Sequence, residues 1–393
     1  MLNSIKTSTL PLASLLLSAT YVGFFQPQQS QQGAGPQQIG LLTSAQAEIL
    51  GHMSIVYLPQ GGGGAGTAKT LRIEGVNLQI VNGLGATNGN PANPTSLDPL
   101  VSATNGLGNL IVGYNELRAS GGDLRTGSHN VIVGIEHNFS SFGGTSIGRD
   151  GTLSAPYASI AGGRGGTASG NYSAVSGGQD NTASGSAAWC GGGEDNLANA
   201  TRSAVAGGSG NTASGVTSTV SGGLANQATG PNSSVSGGAF NVASGANAGV
   251  SGGQSNTASG LNAAISGGRD NRVNRDYSAI SGGESGDVSG DYSSISGGFS
   301  GLVTSIHSSI AAGFNNTVSA PESFIGGGRD NLTAFRGACV LGGESNYGGG
   351  NYACVVGGFD GAAVGAYSVL GGGLQRQASG TYDWVAGGLF QTQ

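Results

Sequence analysis

A fifteen-residue pattern of hydrophobic and small polar residues fills the chain from Ile160 onward. One column of this pattern recurs sixteen times without an insertion, and every member is Val, Ile or Leu except Cys190. The column includes Val175, Val205, Val220, Val235, Val250, Ile265, Ile280 and Ile295. Because a unit of this length is too short for a helical hairpin, it predicts one turn of a parallel β-solenoid. The expected fold class is therefore all-β.

Within one unit, successive side chains are expected to alternate between the interior and the surface. In residues 173–185, Val175 should point inward and Ser176 outward, while Asn181 and Ala183 share a second inward-facing parity. Each unit is thus predicted to hold two short strands. The Asn residues should stack in a ladder that pairs its amides from coil to coil, because buried amides need partners.

Glycines mark the corners between the predicted strands. A glycine stands three residues after every member of the aliphatic column. The corner positions include Gly163, Gly178, Gly193, Gly208, Gly223, Gly238, Gly253 and Gly268. A second corner is expected after the second strand, as at Gly185. Glycine suits both corners where a side chain would clash or where φ is positive.

The whole chain divides into five segments. They are a signal peptide (1–25), a Gln/Gly/Pro linker (26–47), an N-terminal β cap (48–104), irregular first coils (105–159) and sixteen repeats (160–393). The first segment is assigned from an apolar run after Lys6, for which a short uncleaved anchor is the alternative. The cap is assigned from alternating residues at 70–81, which predict one or two half-buried strands over the first coil.

Composition limits both the core and the partners of this chain. Of 393 residues, 79 are glycine and 34 are charged, and the net charge is −6. The absence of a basic stripe argues against nucleic-acid binding. Each coil can bury one large aliphatic side chain and one Ala, worth about 2–3 kcal/mol, whereas ordering fifteen residues costs far more. We therefore expect lateral association into an obligate oligomer.

The repeat units resemble the head repeats of YadA-like trimeric autotransporter adhesins. The resemblance is carried by units such as 233–238 followed by 241–245, and it covers about residues 105–393. It implies a left-handed parallel β-roll, three chains side by side, and a secreted or cell-surface location. The units here have fifteen residues instead of the usual fourteen, and Gly takes the second inward position where the family has Ile.

The three cysteines offer little chemistry. Cys339 and Cys354 occupy one column a single coil apart, near 4.8 Å, which lies inside the disulfide range. Parallel neighbours, however, aim their Cβ atoms the same way, so a disulfide and two small packing residues remain alternatives. Cys190 replaces a core aliphatic residue and is interpreted as a buried hydrophobe.

No catalytic or metal-binding constellation stands out among the ionisable residues. His129 and His137 have no cysteine or paired carboxylate at ligand spacing. Asp180 and Asp195 share a turn column, as a glycosidase pair would, but that column continues as Gly210, Ala225 and Phe240, which favours a solvated corner. We predict a chain that is not an enzyme and needs no cofactor.

The favoured function is a non-enzymatic adhesin head or structural fibre acting through multivalent contacts. Six tyrosines near one corner are the candidate contact residues, with covering of the subunit interface as the alternative: Tyr172, Tyr277, Tyr292, Tyr352, Tyr367 and Tyr382. The expected partners are two further copies of the chain and an unidentified host-cell, matrix or surface glycan ligand. The alternative class is a solenoid ice-binding protein, suggested by outward Thr-x-Ser pairs such as Thr182/Ser184, although only five of sixteen units carry the pair.

Overall fold

A computed structural model describes residues 42–59 and 67–386 of this nearly all-β chain. The predicted signal peptide (1–25), most of the predicted linker (26–47) and the last residues of the final repeat lie outside this described part. The chain divides between Leu78 and Gln79 into two compact units. Residues 79–104 therefore belong to the same unit as the coils.

In residues 42–59 and 67–78, the N-terminal unit forms a helix and an antiparallel hairpin. Helix α1 (Ser44–Gly51) is capped by Thr43, whose side chain and that of Gln46 form a capping box. Strands β1 (Met53–Pro59) and β2 (Thr67–Ile73) pair along their full lengths. The strand pattern predicted for 70–81 is therefore only partly realised, since β2 ends at Ile73 and Gly75, with a φ of 76°, turns the chain two residues later.

The second unit is a parallel β-solenoid of about 17 turns with about fifteen residues per turn, which confirms the predicted fold class. Its first sheet, here called sheet A, is formed by Leu110–Val112, Val131–Ile135, Thr145–Arg149, Ser159–Ile160, Ala174–Val175, Trp189–Cys190, Ala204–Val205, Thr219–Val220, Ser234–Val235, Gly249–Val250, Ala264–Ile265, Ala279–Ile280, Ser294–Ile295, Ser309–Ile310, Phe324–Ile325, Cys339–Val340, Cys354–Val355, Val369–Leu370 and Trp384–Val385. The second sheet, sheet B, is formed by Asn138–Phe139, Thr152–Leu153, Thr167–Ala168, Thr182–Ala183, Leu197–Ala198, Thr212–Ala213, Gln227–Ala228, Val242–Ala243, Thr257–Ala258, Arg272–Val273, Asp287–Val288, Leu302–Val303, Thr317–Val318, Leu332–Thr333, Tyr347–Gly348, Ala362–Ala363 and Gln377–Ala378. Within the fifteen-residue repeats, each strand pairs in parallel with its counterpart one coil further on.

The first coils differ in length from the fifteen-residue coils that follow: Leu110 pairs with Val131, twenty-one residues away, and the next two coils are shorter. Val131 lies opposite Thr145, and Thr145 lies opposite Ser159, so these coils advance by fourteen residues. From Ser159 onward the partner lies fifteen residues away, beginning with Ala174. The fifteen-residue period therefore begins where the sequence predicts the regular repeats to start, at about Ile160.

A third line of backbone pairing joins the coils, in addition to the two strands expected from the sequence. Single-residue parallel bridges run from Arg149–Arg164 to Phe359–Leu374. In each coil the bridging residue sits between two left-handed residues, as Gln179 does between Gly178 (φ 82°) and Asp180 (φ 54°). The expectation of two strands per coil was therefore incomplete, because one extended residue is enough to make a further rung.

The interior is filled by the columns that the alternation placed there. Val175 and Ala183 are fully buried, whereas Ser176 is exposed. The Asn column is also buried, and its amides bond mainly to backbone. The expected pairing of amides from coil to coil occurs at two places, where Asn211 Nδ2 donates to Asn196 Oδ1 (3.1 Å) and Asn256 Nδ2 donates to Asn241 Oδ1 (3.2 Å). Asn241 donates from Nδ2 to the carbonyls of Gly237 (3.0 Å) and Gly253 (2.9 Å), and its Oδ1 accepts from the backbone N–H of Asn256 (3.0 Å). Each Asn thus fastens consecutive coils.

The two glycine corners have different physical causes. Gly238 has a φ of 85°, and a Cβ there would lie 2.1 Å from the Gly253 carbonyl oxygen. Gly185 does not have a positive φ, but its Cβ would lie 1.9 Å from the Ala200 carbonyl oxygen. The left-handed residue of the second corner is instead the one two positions later, as at Ala187 (φ 54°).

Candidate binding surface

The tyrosine column occupies the left-handed position of the second corner. Each tyrosine in it has a φ between 55° and 65°, as Tyr292 (55°) and Tyr382 (65°) show. The six residues named from the sequence all lie at this corner: Tyr172, Tyr277, Tyr292, Tyr352, Tyr367 and Tyr382. In three other coils the same position holds Asn, as at Asn232 and Asn247, and in further coils it holds Ala, Arg, Thr, His, Glu or Gly. Asn tolerates this conformation well, whereas a bulky residue pays a backbone cost of about 1–2 kcal/mol.

The tyrosine rings stack from coil to coil into short ladders. Tyr277 and Tyr292 lie with ring centroids 5.0 Å apart and planes 1° from parallel, and His307 continues the row at 5.3 Å. Tyr367 lies 5.4 Å from Tyr352 and 5.2 Å from Tyr382. The parallel register of the coils sets this spacing, because each ring projects from the same position of successive turns.

These ladders are open to solvent. The six tyrosines expose between 45% and 74% of their surface. Stacking covers ring faces with neighbouring rings, so the accessible groups are ring edges and phenol hydroxyls repeated at the coil spacing. Such a row offers hydrogen-bond donors and acceptors beside apolar surface.

One member of this column was missed by the sequence analysis. Tyr157 has a φ of 56° and stacks on Tyr172 at 5.5 Å, while Phe142 meets its edge at 5.4 Å. It escaped notice because it precedes Ile160, where the aliphatic column was taken to begin. Its spacing of fifteen residues from Tyr172 was the available signal.

A neutral cleft borders this first tyrosine stack. It has a volume of about 340 Å³, and none of its lining residues is charged: Leu97, Pro99, Ser102, Thr104, Ser140, Ser141, Ser154, Ala155, Pro156, Ser169 and Asn171. Pro156 and Asn171 directly precede Tyr157 and Tyr172 in the chain. Six hydroxyl groups and one amide beside apolar carbon suit a neutral polyhydroxylated ligand better than an ion.

A second aromatic row, on the bridging line, was also missed. Phe299 and Phe314 stack at 5.1 Å, and the Arg329 guanidinium lies over the Phe314 ring at 5.1 Å. The three residues are fifteen positions apart, so the period alone could have revealed them. Each is exposed enough to contact a partner.

The Thr-x-Ser pairs face outward on sheet B but form a broken array. Thr167 and Thr182 are direct neighbours in register, with their side chains half-buried. The next rung is Leu197, and Thr212 follows before Gln227 interrupts the row again. The surface therefore presents isolated hydroxyl pairs separated by larger side chains.

The three cysteines occupy two different environments. Cys190 is completely buried, and burial raises the pKa of its thiol to about 11. Cys339 and Cys354 are half-buried free thiols on paired strands of sheet A. A hydrogen bond from the Cys339 thiol lowers the pKa of Cys354 to about 7, and the same interaction raises the pKa of Cys339.

The histidines considered as ligands are engaged with the protein itself. The buried His137 ring accepts at Nδ1 from the Ser146 hydroxyl (2.9 Å) and the Gly151 N–H (3.2 Å), while Nε2 faces the carbonyls of Val133 and Gly148. This pattern requires a neutral ring protonated at Nε2. Accordingly, desolvation lowers the pKa of His137.

His129 likewise contacts backbone through both nitrogens, meeting the Asn82 N–H at 3.2 Å and the Thr87 carbonyl at 3.1 Å. Within residues 42–59 and 67–386, no group of three or more His, Cys, Asp and Glu side chains is placed to hold a metal ion. No helix in this part of the chain is long and apolar enough to cross a membrane.

The acidic turn column is solvated. Asp180 and Asp195 both adopt left-handed backbone (φ 54°) and are exposed. Asp180 has an exposed arginine, Arg164, at 3.8 Å. A weak surface ion pair of this kind contributes little to stability.

Comparison with known proteins does not assign this chain to a family. The chain matches no protein-family model, and no curated protein is similar enough to be a relative. The β-solenoid with its fifteen-residue turns is thus established by the structure, while the likeness to YadA-type heads rests on the repeat sequence alone.

Proposed function

We propose that this chain is the binding head of a secreted or surface-displayed adhesin, or a structural fibre of the same build, and acts without catalysis. In this proposal three chains lie side by side as YadA-like β-rolls. Their stacked columns repeat the same weak contact at every coil, so that avidity supplies the strength of attachment. The ligand class that fits best is a surface glycan.

The observation that carries the proposal is the placement of tyrosine at left-handed corners. Asn232, Asn247 and Asn262 show that a better-suited residue is accepted at the same column position. Left-handed backbone is unfavourable for tyrosine at this position, and the large ring stays half-exposed. Retaining such rings in consecutive coils supports a contact role for their edges and hydroxyls.

The hydroxyl-lined cleft beside Tyr157 and Tyr172 supports a carbohydrate in particular. A neutral sugar offers hydroxyls to Ser and Asn and apolar ring carbons to proline and tyrosine. The cleft and the Tyr157–Tyr172 stack both lie near the N-terminal end of the solenoid, so a short glycan could span the two.

Substitution of tyrosine by asparagine tests this role without disturbing the corner. Tyr277→Asn and Tyr292→Asn should fold normally and should reduce attachment to glycan-coated and matrix-coated surfaces by more than about tenfold together, because avidity multiplies each lost contact. The matched control is Thr217→Asn, an exposed left-handed position of the same column that carries no ring.

Oligomeric state and ice activity are measured on the same proteins. Light scattering should give three times the chain mass for the wild type and both variants. A change of mass in the tyrosine variant would place these rings in the subunit interface, and unchanged attachment would refute their contact role. The ice-binding alternative is favoured instead if the wild type shows thermal hysteresis that Thr182→Leu abolishes.

A further inference from the structure

Two cysteine side chains stand next to each other on the outer face of sheet A. Cys339 and Cys354 are register partners on adjacent parallel strands. Their strand neighbours Val340 and Val355 are fully buried, so the cysteines belong to the opposite, outward parity. Both are half-exposed and both are free thiols.

The surface around the pair is apolar. Phe324 and Val369 occupy the same column one coil before and one coil after the two cysteines. Leu341 and Val356 directly follow the two strands, two residues beyond each cysteine, and expose 48% and 46% of their surface. Alternation places them on the same face as the thiols. The pair therefore offers two sulfur ligands and no oxygen or nitrogen side chain from these flanking positions.

The register disfavours a disulfide between these cysteines. A disulfide requires Cβ atoms about 3.8 Å apart. Side chains that project in parallel from adjacent in-register strands are separated by about 4.8 Å. Closing the bond would pull two coils together at one point of a ladder that is otherwise evenly spaced.

The same separation suits a metal ion held between two sulfur atoms. Two metal–thiolate bonds of about 2.3 Å placed end to end span about 4.6 Å, close to the rung spacing of about 4.8 Å. Thiolates in apolar surroundings select soft ions such as Cu(I), whereas Zn²⁺ calls for four ligands. We propose that Cys339 and Cys354 form a two-thiolate site for a soft metal ion, with Cu(I) as the representative case.

Binding at this site needs no electron transfer. Each thiol releases its proton to solvent, two metal–sulfur bonds form, and the oxidation states of sulfur and metal stay unchanged. The bound ion would tie two consecutive coils together across the face of the sheet. It would therefore stabilise the C-terminal coils by mass action.

Titration of the full-length protein with Cu(I) under anaerobic, reducing conditions tests the proposal, with bicinchoninate as the competing chelator. We expect one Cu(I) per chain. Affinity should fall by more than about a hundredfold in Cys339→Ser and equally in Cys354→Ser, because a single thiolate is a poor site. The double variant should lose nothing further, which distinguishes a shared ion from two independent thiols.

Cys190→Ala is the matched control, since it removes a thiol that is fully buried. It should bind Cu(I) as the wild type does. The proposal is overturned if Cys190→Ala abolishes binding, if each single variant keeps half of the binding, or if the air-exposed native protein shows a Cys339–Cys354 disulfide by mass mapping. Circular dichroism confirms that each variant is folded. Attachment to glycan surfaces is measured separately, so either idea can fail alone.

Discussion

The adjacent glycines Gly237 and Gly238 should respond oppositely to the same substitution. Gly238 has a φ of 85°, and an added Cβ would meet the Gly253 carbonyl oxygen at 2.1 Å. Gly237 does not have a positive φ, and an added Cβ there meets nothing within 4 Å. Gly238→Ala should therefore destabilise its coil, whereas Gly237→Ala should be tolerated.

The expected loss of stability in Gly238→Ala follows from the backbone conformation and the carbonyl group that the new side chain would disturb. Left-handed backbone costs alanine about 1–2 kcal/mol. Relieving the overlap displaces the Gly253 carbonyl, which accepts hydrogen bonds from the Ala239 N–H (3.0 Å) and from Asn241 Nδ2 (2.9 Å). Each lost bond costs about 1 kcal/mol. We expect Gly238→Ala to lower the free energy of local unfolding by about 3 kcal/mol, and Gly237→Ala to change it by less than about 1 kcal/mol, in the stabilising direction.

Hydrogen exchange is the appropriate assay, because a long repeat array opens locally and a global melting point averages over many coils. Peptides covering residues 223–268 should exchange about a hundredfold faster in Gly238→Ala than in wild type, which corresponds to about 3 kcal/mol. Peptides from the first coils should be unchanged. Equal exchange in the two variants would refute the assignment of Gly238 as a backbone contact point.

Three further outcomes are expected. Asn256→Ala should cost about 3 kcal/mol in local exchange, because it leaves the Gly252 carbonyl and the Asn271 N–H without their side-chain partner and removes one of the two hydrogen bonds to the Gly268 carbonyl, whereas the outward Ser251→Ala should have no effect. His137 should make stability pH-dependent: its pKa is lowered on folding, so its contribution is complete above the unfolded value of 6.5 and declines by up to about 1.4 kcal/mol per unit as pH falls below it. Denaturation measured from pH 7 to pH 5 should show this decline, and His137→Gln should remove it. Light scattering at micromolar concentration should give a trimer, and a stable folded monomer would refute the argument from the thin core.

The sequence also predicts that residues such as Cys190 and the Asn column have structural roles, and the contacts in the structure give the physical reason. Cys190 was interpreted as a buried hydrophobe, and it is completely buried. The Asn column was correctly placed inside, but its main hydrogen-bond partners were not, since pairing with backbone carbonyls depends on how closely the corner of the next coil approaches. Periodicity fixes which residues share a column, and it does not give the distance between columns.

The fifteen-residue period by itself determined the β-solenoid and its inward columns, because a strict period with alternating parity fits one coil per unit. Only the tertiary structure decided the third bridging line, since a single extended residue between two turns leaves no hydrophobic signal. The tertiary structure also showed that the tyrosines sit in left-handed backbone and stack on one another. Those properties arise from the register and curvature of neighbouring coils, which are set by contacts fifteen residues apart and not by the local sequence.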